Sequence, residues 1–268
     1  MPLAHSIVSA PGASPARAIL FLHGILGRGL NWRTLARELV RERPEWCAVL
    51  ADLREHGDSR GRPPPHDLAS AAADVIELAG SIAMPARAIL GHSFGGKVAL
   101  ACLSELGVDR AFIVDSLPGA RPGGLGSEDT LRVLDMLAAL PERFADRDAF
   151  VAHVRERGFS EPLARWLAMN LGSLEGGYRF ELDVESLRAL LHDYFARDLW
   201  PVLDPPPCET HLIVGGRSRV FGADDLARAR ALADRHSSLR LHVLERAGHW
   251  VHVDDPQGLS AIVRNALP

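Results

Sequence analysis

A chain of 268 residues, 47% hydrophobic and 24% charged, has the size and composition of one globular domain, or of one domain carrying an insertion, which excludes a disordered or fibrous chain. Its net charge of −4 comes from 30 basic and 34 acidic residues, interspersed rather than blocked, which argues against nucleic acid as a partner. No apolar run has the length of a membrane span, and the opening MPLAHSIVSAPGASPAR lacks a basic stretch followed by an apolar one, so neither a membrane span nor a secretory signal is expected and the cytoplasm is the expected compartment.

In chain order, AILFL at 18–22 reads as the first buried strand, and helical spacing follows over 31–43. CAVLADL at 47–53 is the next strand, with a helix predicted over 67–82. RAILG at 87–91 leads into a helix over 94–106, and RAFIVD at 110–115 follows it. After a long break come HLIVGG at 211–216, a helix over 223–235, the strand LRLHVLE at 239–245 and a last helix over 257–266. The 239–245 strand alternates in polarity, as a strand near the sheet edge does. Strands alternating with helices predict an α/β fold, a mostly parallel central sheet flanked by helices.

The break at 116–207 reads as consecutive amphipathic helices with no strand between them. PGARPGG at 118–124 and PVLDPPP at 201–207 punctuate its ends. It is expected to be an inserted helical cap, or lid, on a core domain formed by 1–115 and 208–268. The three cysteines, Cys47, Cys102 and Cys208, form no CxxC pair and are expected to be inert thiols of a reducing compartment. No signature of an oligomeric state is present.

The stretch RAILGHSFGGKVAL sets Gly91, His92, Ser93, Phe94 and Gly95 between a strand and a helix, the context a GxSxG motif requires. There the serine Oγ projects from a turn so tight that only small residues fit two positions either side. The bland alternative is a glycine-rich turn with an incidental serine. Free N–H groups at the start of the helix point toward a reacting carbonyl. The Phe94 N–H is one candidate oxyanion donor. HGILGRG at 23–29 supplies the second candidate, the Ile25 N–H, with Gly24 and Gly27 allowing close approach and His23 bracing the loop. A dinucleotide-binding loop is the competing reading, but its third glycine is missing.

Toward the end of the chain, RAGHWVHVDDP places His249 in a loop after the last strand, with Gly248 before it. A serine nucleophile with its histidine base last in the chain is the α/β-hydrolase order. His252 completes an HxxH pair with no third ligand at a metal-binding spacing, so no metal and no cofactor are expected. His66, His153 and His192 are read as surface residues.

HGILG, DLREHGDS at 52–59, GHSFGGKVAL, IVDSLPG, GGRSRVF and RAGHWVHVDDP together resemble α/β-hydrolase-fold serine esterases, specifically the subgroup of YbfF-type esterases and their mitochondrial relatives. The resemblance spans nearly the whole chain and is weakest in the middle of the insertion. In most of the superfamily an acid follows the strand corresponding to HLIVGG, where this chain has Ser218. The resemblance implies that the acid has moved to Asp115, at the end of the preceding strand. That strand should neighbour the one ending at Ser93, about 4.8 Å away. A carboxylate closing an apolar run needs a strong partner. Rival readings make Asp115 a turn residue, or give the role to Asp224 or Asp225, which open a helix where acids are ordinary. Ser218 itself is expected to matter little. Asp52, Arg54, Gly57 and Ser59 are read as a structural turn, with substrate contact as the rival.

The insertion carries Leu131, Leu134, Leu137, Leu140, Phe150, Trp166, Met169, Leu187, Leu190, Leu191, Phe195 and Trp200 at helical spacings. Most are expected to pack and a minority to face an acyl group. Arg188 and Arg197 keep an anionic substrate open. The function expected is hydrolysis of a small-molecule acyl ester or thioester by Ser93, His249 and Asp115. The alternatives are a C–C bond hydrolase or perhydrolase on the same triad, and a non-enzymatic ligand receptor.

Overall fold

A computed structural model of the chain describes residues 1–121 and 128–268. In order these form β1 (His5–Val8), β2 (Arg17–Leu22), α1 (Arg33–Glu42), β3 (Trp46–Ala51), α2 (Leu68–Ser81), β4 (Ala86–His92), α3 (Phe94–Leu106) and β5 (Arg110–Val114). Next come α4 (Glu128–Ala138), α5 (Arg147–Glu156), α6 (Glu161–Leu167), β6 (Leu171–Leu174), β7 (Gly177–Phe180) and α7 (Val184–Ala196). The chain then returns to β8 (Glu209–Gly215), α8 (Ala223–Arg235), β9 (Leu239–Leu244), α9 (Val251–Asp254) and α10 (Pro256–Ala266). No helix among the described residues is long and apolar enough to cross a membrane.

Seven strands make one sheet in the order β1-β3-β2-β4-β5-β8-β9. All neighbours are parallel except β1 and β3. The apolar runs are continuous because both faces of the sheet are covered. Ala18, Leu20 and Leu22 of β2 pack with α2, α3 and α8, while Ile19 and Phe21 pack on the other face with α1 and α10. Helix α2 starts where Asp67 accepts the Ser70 N–H at 2.7 Å, and α3 ends at Gly107, whose φ of 65° terminates it. The expected α/β architecture is therefore present, with β9 at the sheet edge as its alternation implied. β1 was not foreseen. HSIV is four residues long and mostly exposed, too short to display a period, and it is held by pairing to β3.

Between β5 and β8 the expectation of helices alone is corrected by a hairpin. β6 and β7 pair antiparallel with Leu174 opposite Gly177, leaving Glu175 and Gly176 as a two-residue turn, and Gly176 takes the positive φ, 77°, that glycine adopts without steric cost. The helical spacing up to Met169 runs straight into this segment and hides the change of period. Of the expected boundary at 118–124, positions 122–124 lie outside the described residues.

Behind β3 the turn 52–59 ties α2 to the strand ends. Arg54 donates to both carboxylate oxygens of Asp74, at 2.9 and 3.2 Å, and Arg62 adds a third contact at 2.8 Å. Both Arg54 and Asp74 are buried. Replacing Asp74→Ala leaves two guanidinium groups without their counter-charge, and the expected cost is on the order of 3–5 kcal/mol. A urea titration checks this: the unfolding midpoint falls, while the slope stays near that of the parent.

Candidate active site

The carboxyl ends of β2, β4, β5 and β8 converge on one region of the sheet edge. β4 ends at His92, and Ser93 makes the turn into α3 with φ 53° and ψ −118°. Such a conformation is costly for a residue with a side chain. It is held by Ser93 N–H donating to Val114 O at 2.9 Å and by Ser93 O accepting from Gly96 at 2.9 Å. A Cβ on Gly91 would lie 2.2 Å from Gly95 O, and one on Gly95 would lie 2.5 Å from His23 O. The glycines of GxSxG are thus required by contact with the backbone.

Asp115 closes β5 beside this turn with no exposed surface. Three donors satisfy its carboxylate. Gly215 N–H reaches Oδ1 at 3.0 Å, while Ser218 Oγ, at 2.5 Å, and His249 Nδ1, at 2.7 Å, both reach Oδ2. Ser218 therefore touches the acid at the heart of the site, a contact its expected minor role did not anticipate. Asp225, one rival, accepts from Gly222 N–H at 2.9 Å at the start of α8, and neither Asp224 nor Asp225 contacts His249. With its Nδ1 proton directed at Asp115, His249 presents Nε2 to the cavity that Ser93 also lines. No hydrogen bond joins Ser93 Oγ to His249. His92 holds the loop from below, its Nε2–H donating to His249 O at 2.8 Å. Burial, reinforced by the neighbouring His249 and His252 rings, holds His92 well below the ordinary histidine range.

Loop 23–29 passes over the Ser93 turn so closely that a Cβ on Gly24 would lie 3.4 Å from Ser93 Cβ. His23 donates from Nδ1 to Gly24 O at 2.8 Å and accepts the Leu53 N–H on Nε2 at 3.0 Å. His56 repeats the pattern, donating to Arg54 O at 2.8 Å and accepting the Leu26 N–H at 3.0 Å. Burial pushes His23 down to about 4 and His56 down to about 3, so both are neutral braces. From between α6 and β6, buried Asn170 donates to Leu26 O at 2.9 Å. With Leu26 N–H committed to His56, the N–H groups of Ile25 and Phe94 are left without acceptors among the described residues. Sequence reasoning placed His56 in a structural turn without its role in this loop. Asn170 carries no local signal at all, since its partner lies 144 positions away.

A cavity of about 500 Å³ opens over Ser93 and His249. The segment between β5 and β8 contributes Leu117, Val133, Leu163, Trp166, Leu191 and Phe195 to its wall. Trp166 meets Trp250, next to His249, edge to face at 4.6 Å. Arg188 is paired with Asp135 and Arg197 with Asp193, and neither lines the cavity. His252 lies against Trp32 at 4.8 Å, and burial together with His249 holds it down to about 4.

Comparison with known proteins matches residues 19–262 to a model of the alpha/beta hydrolase family. The chain is 27% identical to mouse sn-1-specific diacylglycerol lipase ABHD11 over its full length and 85% of that protein. It is 26% identical to esterase YbfF of Escherichia coli K12, covering 93% of this chain and 92% of that one. A marine microorganism esterase has the same fold, with a TM-score of 0.82 at 22% identity and 99% coverage of both chains.

The buried histidines make the site sensitive to acid. Each binds its proton more weakly folded than unfolded, where the ordinary value is about 6.5. Stability is therefore fully present above about pH 6.5 and lost as pH falls through the window toward about 4. The thermal midpoint should drop between pH 7.5 and pH 5, and by less in His56→Gln, whose side-chain oxygen can still accept the Leu26 N–H. An equal drop in both proteins contradicts the assignment of His56.

Proposed function

Because the chain belongs to the alpha/beta hydrolase family, we propose that it is a serine hydrolase of carboxylic esters, with thioesters as the nearest variant. The observation that carries this reading is the bond from His249 Nδ1 to a fully buried Asp115 beneath a cavity that also holds the strained Ser93 turn. Asp115 fixes the tautomer in which Nε2 is the free base and balances the charge that ring acquires. On substrate binding Ser93 Oγ comes into hydrogen-bond reach of Nε2 and attacks the ester carbonyl as its proton passes to His249. The carbonyl oxygen becomes an oxyanion held by the N–H groups of Ile25 and Phe94. His249 then gives the proton to the departing alcohol, leaving an acyl group on Ser93. Water, deprotonated by the same Nε2, releases the acid and restores the serine.

The division of labour proposed for the chain is a core of 1–115 and 208–268 carrying this chemistry and a lid at 116–207. The apolar side chains that the lid adds to the cavity fit an acyl chain. An esterase and a lipase among the similar proteins support the same class, and the same machinery on a C–C bond or a bound ligand remains distinguishable by experiment.

Ser93→Ala should abolish both turnover of p-nitrophenyl butyrate and labelling by a fluorophosphonate probe. A wild-type protein that does not label would be a receptor, and one that labels but prefers a diketone to every ester would be a C–C hydrolase. Asp115→Asn should cost about 10⁴ in kcat through the wrong histidine tautomer. Ser218→Ala should cost about tenfold, the scale of one hydrogen bond to a charged group. Equal losses in the two variants would make Ser218 part of the essential set, and a larger loss in Ser218→Ala would overturn the role given to Asp115.

A further inference from the structure

Of the 30 residues that are lysine or arginine, one alone is lysine, Lys97. It lies on α3, four positions beyond Ser93, and is 1% exposed. Its Nζ donates to Gly119 O at 2.8 Å and to Tyr194 O at 2.7 Å. The ammonium also sits 4.5 Å from the centre of the Tyr194 ring. Among the described residues no carboxylate lies within ion-pair distance of it. The nearest charges are those of Asp198, Arg121 and Asp193, and Asp193 is already engaged by Arg197 and by the Leu68 N–H. A buried charge without a counter-ion is expensive and persists only where fixed dipoles replace water.

Those dipoles come from the two ends of the insertion. Gly119 stands just after β5, where the chain enters it, and Tyr194 stands in the last turn of α7, where the chain is about to leave. Tyr194 O is one of the final helix carbonyls that have no partner within their own helix, and a cation there also meets the negative end of the helix dipole. Both Gly119 and Tyr194 line the cavity. A guanidinium in this position would bring five N–H donors to two carbonyls and leave several unsatisfied, whereas an ammonium is compact and has three. That accounts for lysine here, where the partners are two carbonyls, whereas the other buried cation, Arg54, is paired bidentately with the Asp74 carboxylate.

We propose that Lys97 is a positioning residue that clamps both ends of the insertion to α3 and thereby sets the wall of the cavity that receives the acyl chain. The proposal rests on the reading of that cavity as the substrate site. Burial holds the ammonium down to about 8, with Asp198 opposing and Arg121 assisting, so it is charged at neutral pH. Lysine in the unfolded chain titrates near 10.4, so folding stability does not fall as the clamp loses its charge between about pH 8 and 10.

The test begins with the wild-type protein labelled with ¹⁵N-lysine, which carries a single Nζ. Its ammonium should exchange with water far more slowly than free lysine at pH 7, and exchange at the free rate overturns the clamp even if no variant folds. In Lys97→Met, KM for p-nitrophenyl octanoate should rise about tenfold, the scale of a lost charge-assisted contact, while kcat on the acetate changes less than threefold. Amide protection over residues 184–196 should fall, and Lys97→Arg should not restore it. A folded Lys97→Met with wild-type KM on both esters and unchanged protection overturns the proposal. A wild-type protein that cleaves no ester overturns the esterase reading and leaves the exchange measurements to judge the clamp by themselves.

Discussion

Asp115 carries a carboxylate with no exposed surface, and a charge so placed is tolerable only if every oxygen meets a donor. This requirement determines the geometry around it. β5 must end between β4 and β8, as the sheet order has it. The β8 exit must bend so that Gly215 N–H and Ser218 Oγ both face the carboxylate. The loop after β9 must then bring His249 to the remaining side of Oδ2. Asp115 itself takes φ 43°, strain that the three bonds offset. The end of β8 and the turn after it serve this carboxylate twice. The Ser218 hydroxyl donates to one oxygen and the Gly215 N–H to the other, so one stretch of chain satisfies both sides of the group.

The rest of the site is a set of neutral braces around two strained residues, Ser93 and Leu26, the latter with φ 66°. A brace must keep one fixed donor and one fixed acceptor to hold a backbone in an unfavourable region, and a buried neutral imidazole does so as long as it does not titrate. His23 and His56 serve the loop before the serine in this way, and His92 serves the loop that carries His249. Of these three and His249 around the Ser93 turn, His249 alone is in contact with an acid. That single contact separates a candidate base from its supports.

Much of this was legible in the sequence, and the parts that were not share a cause. Six of the seven strands of the central sheet, and the helices α1, α2, α3, α8 and α10, announced themselves because each is long enough to complete its own period. The GxSxG turn was readable because its constraint is local: backbone atoms within a few residues of Gly91 leave no room for a side chain. The hairpin at 171–180 was hidden by helical spacing running into it, and β1 by its four-residue length. Asn170 and Ser218 were beyond reach for a different reason, since each acts on a partner more than 100 positions away. Arg188 and Arg197 show the converse case, residues whose partners the sequence did not single out. They left an anionic substrate open, and the structure pairs them with Asp135 and Asp193.

The segment between β5 and β8 is held to the rest of the chain by polar contacts at specific points as well as by apolar packing, and the points are not interchangeable. Asn170 grips the loop that carries Ile25, while the Leu68 N–H fixes Asp193 at the end of α7. Lys97 reaches from α3 to Gly119 and Tyr194. Two of these three attachments act on the last turns of α7, the element that supplies Leu191 and Phe195 to the cavity wall. Apolar surfaces can slide past one another at little cost, because burial depends on area and not on register. Hydrogen bonds to single carbonyls cannot. A cavity wall of fixed shape therefore needs polar pins, and here two of them hold the last turns of α7, beside the cavity that Ser93 also lines.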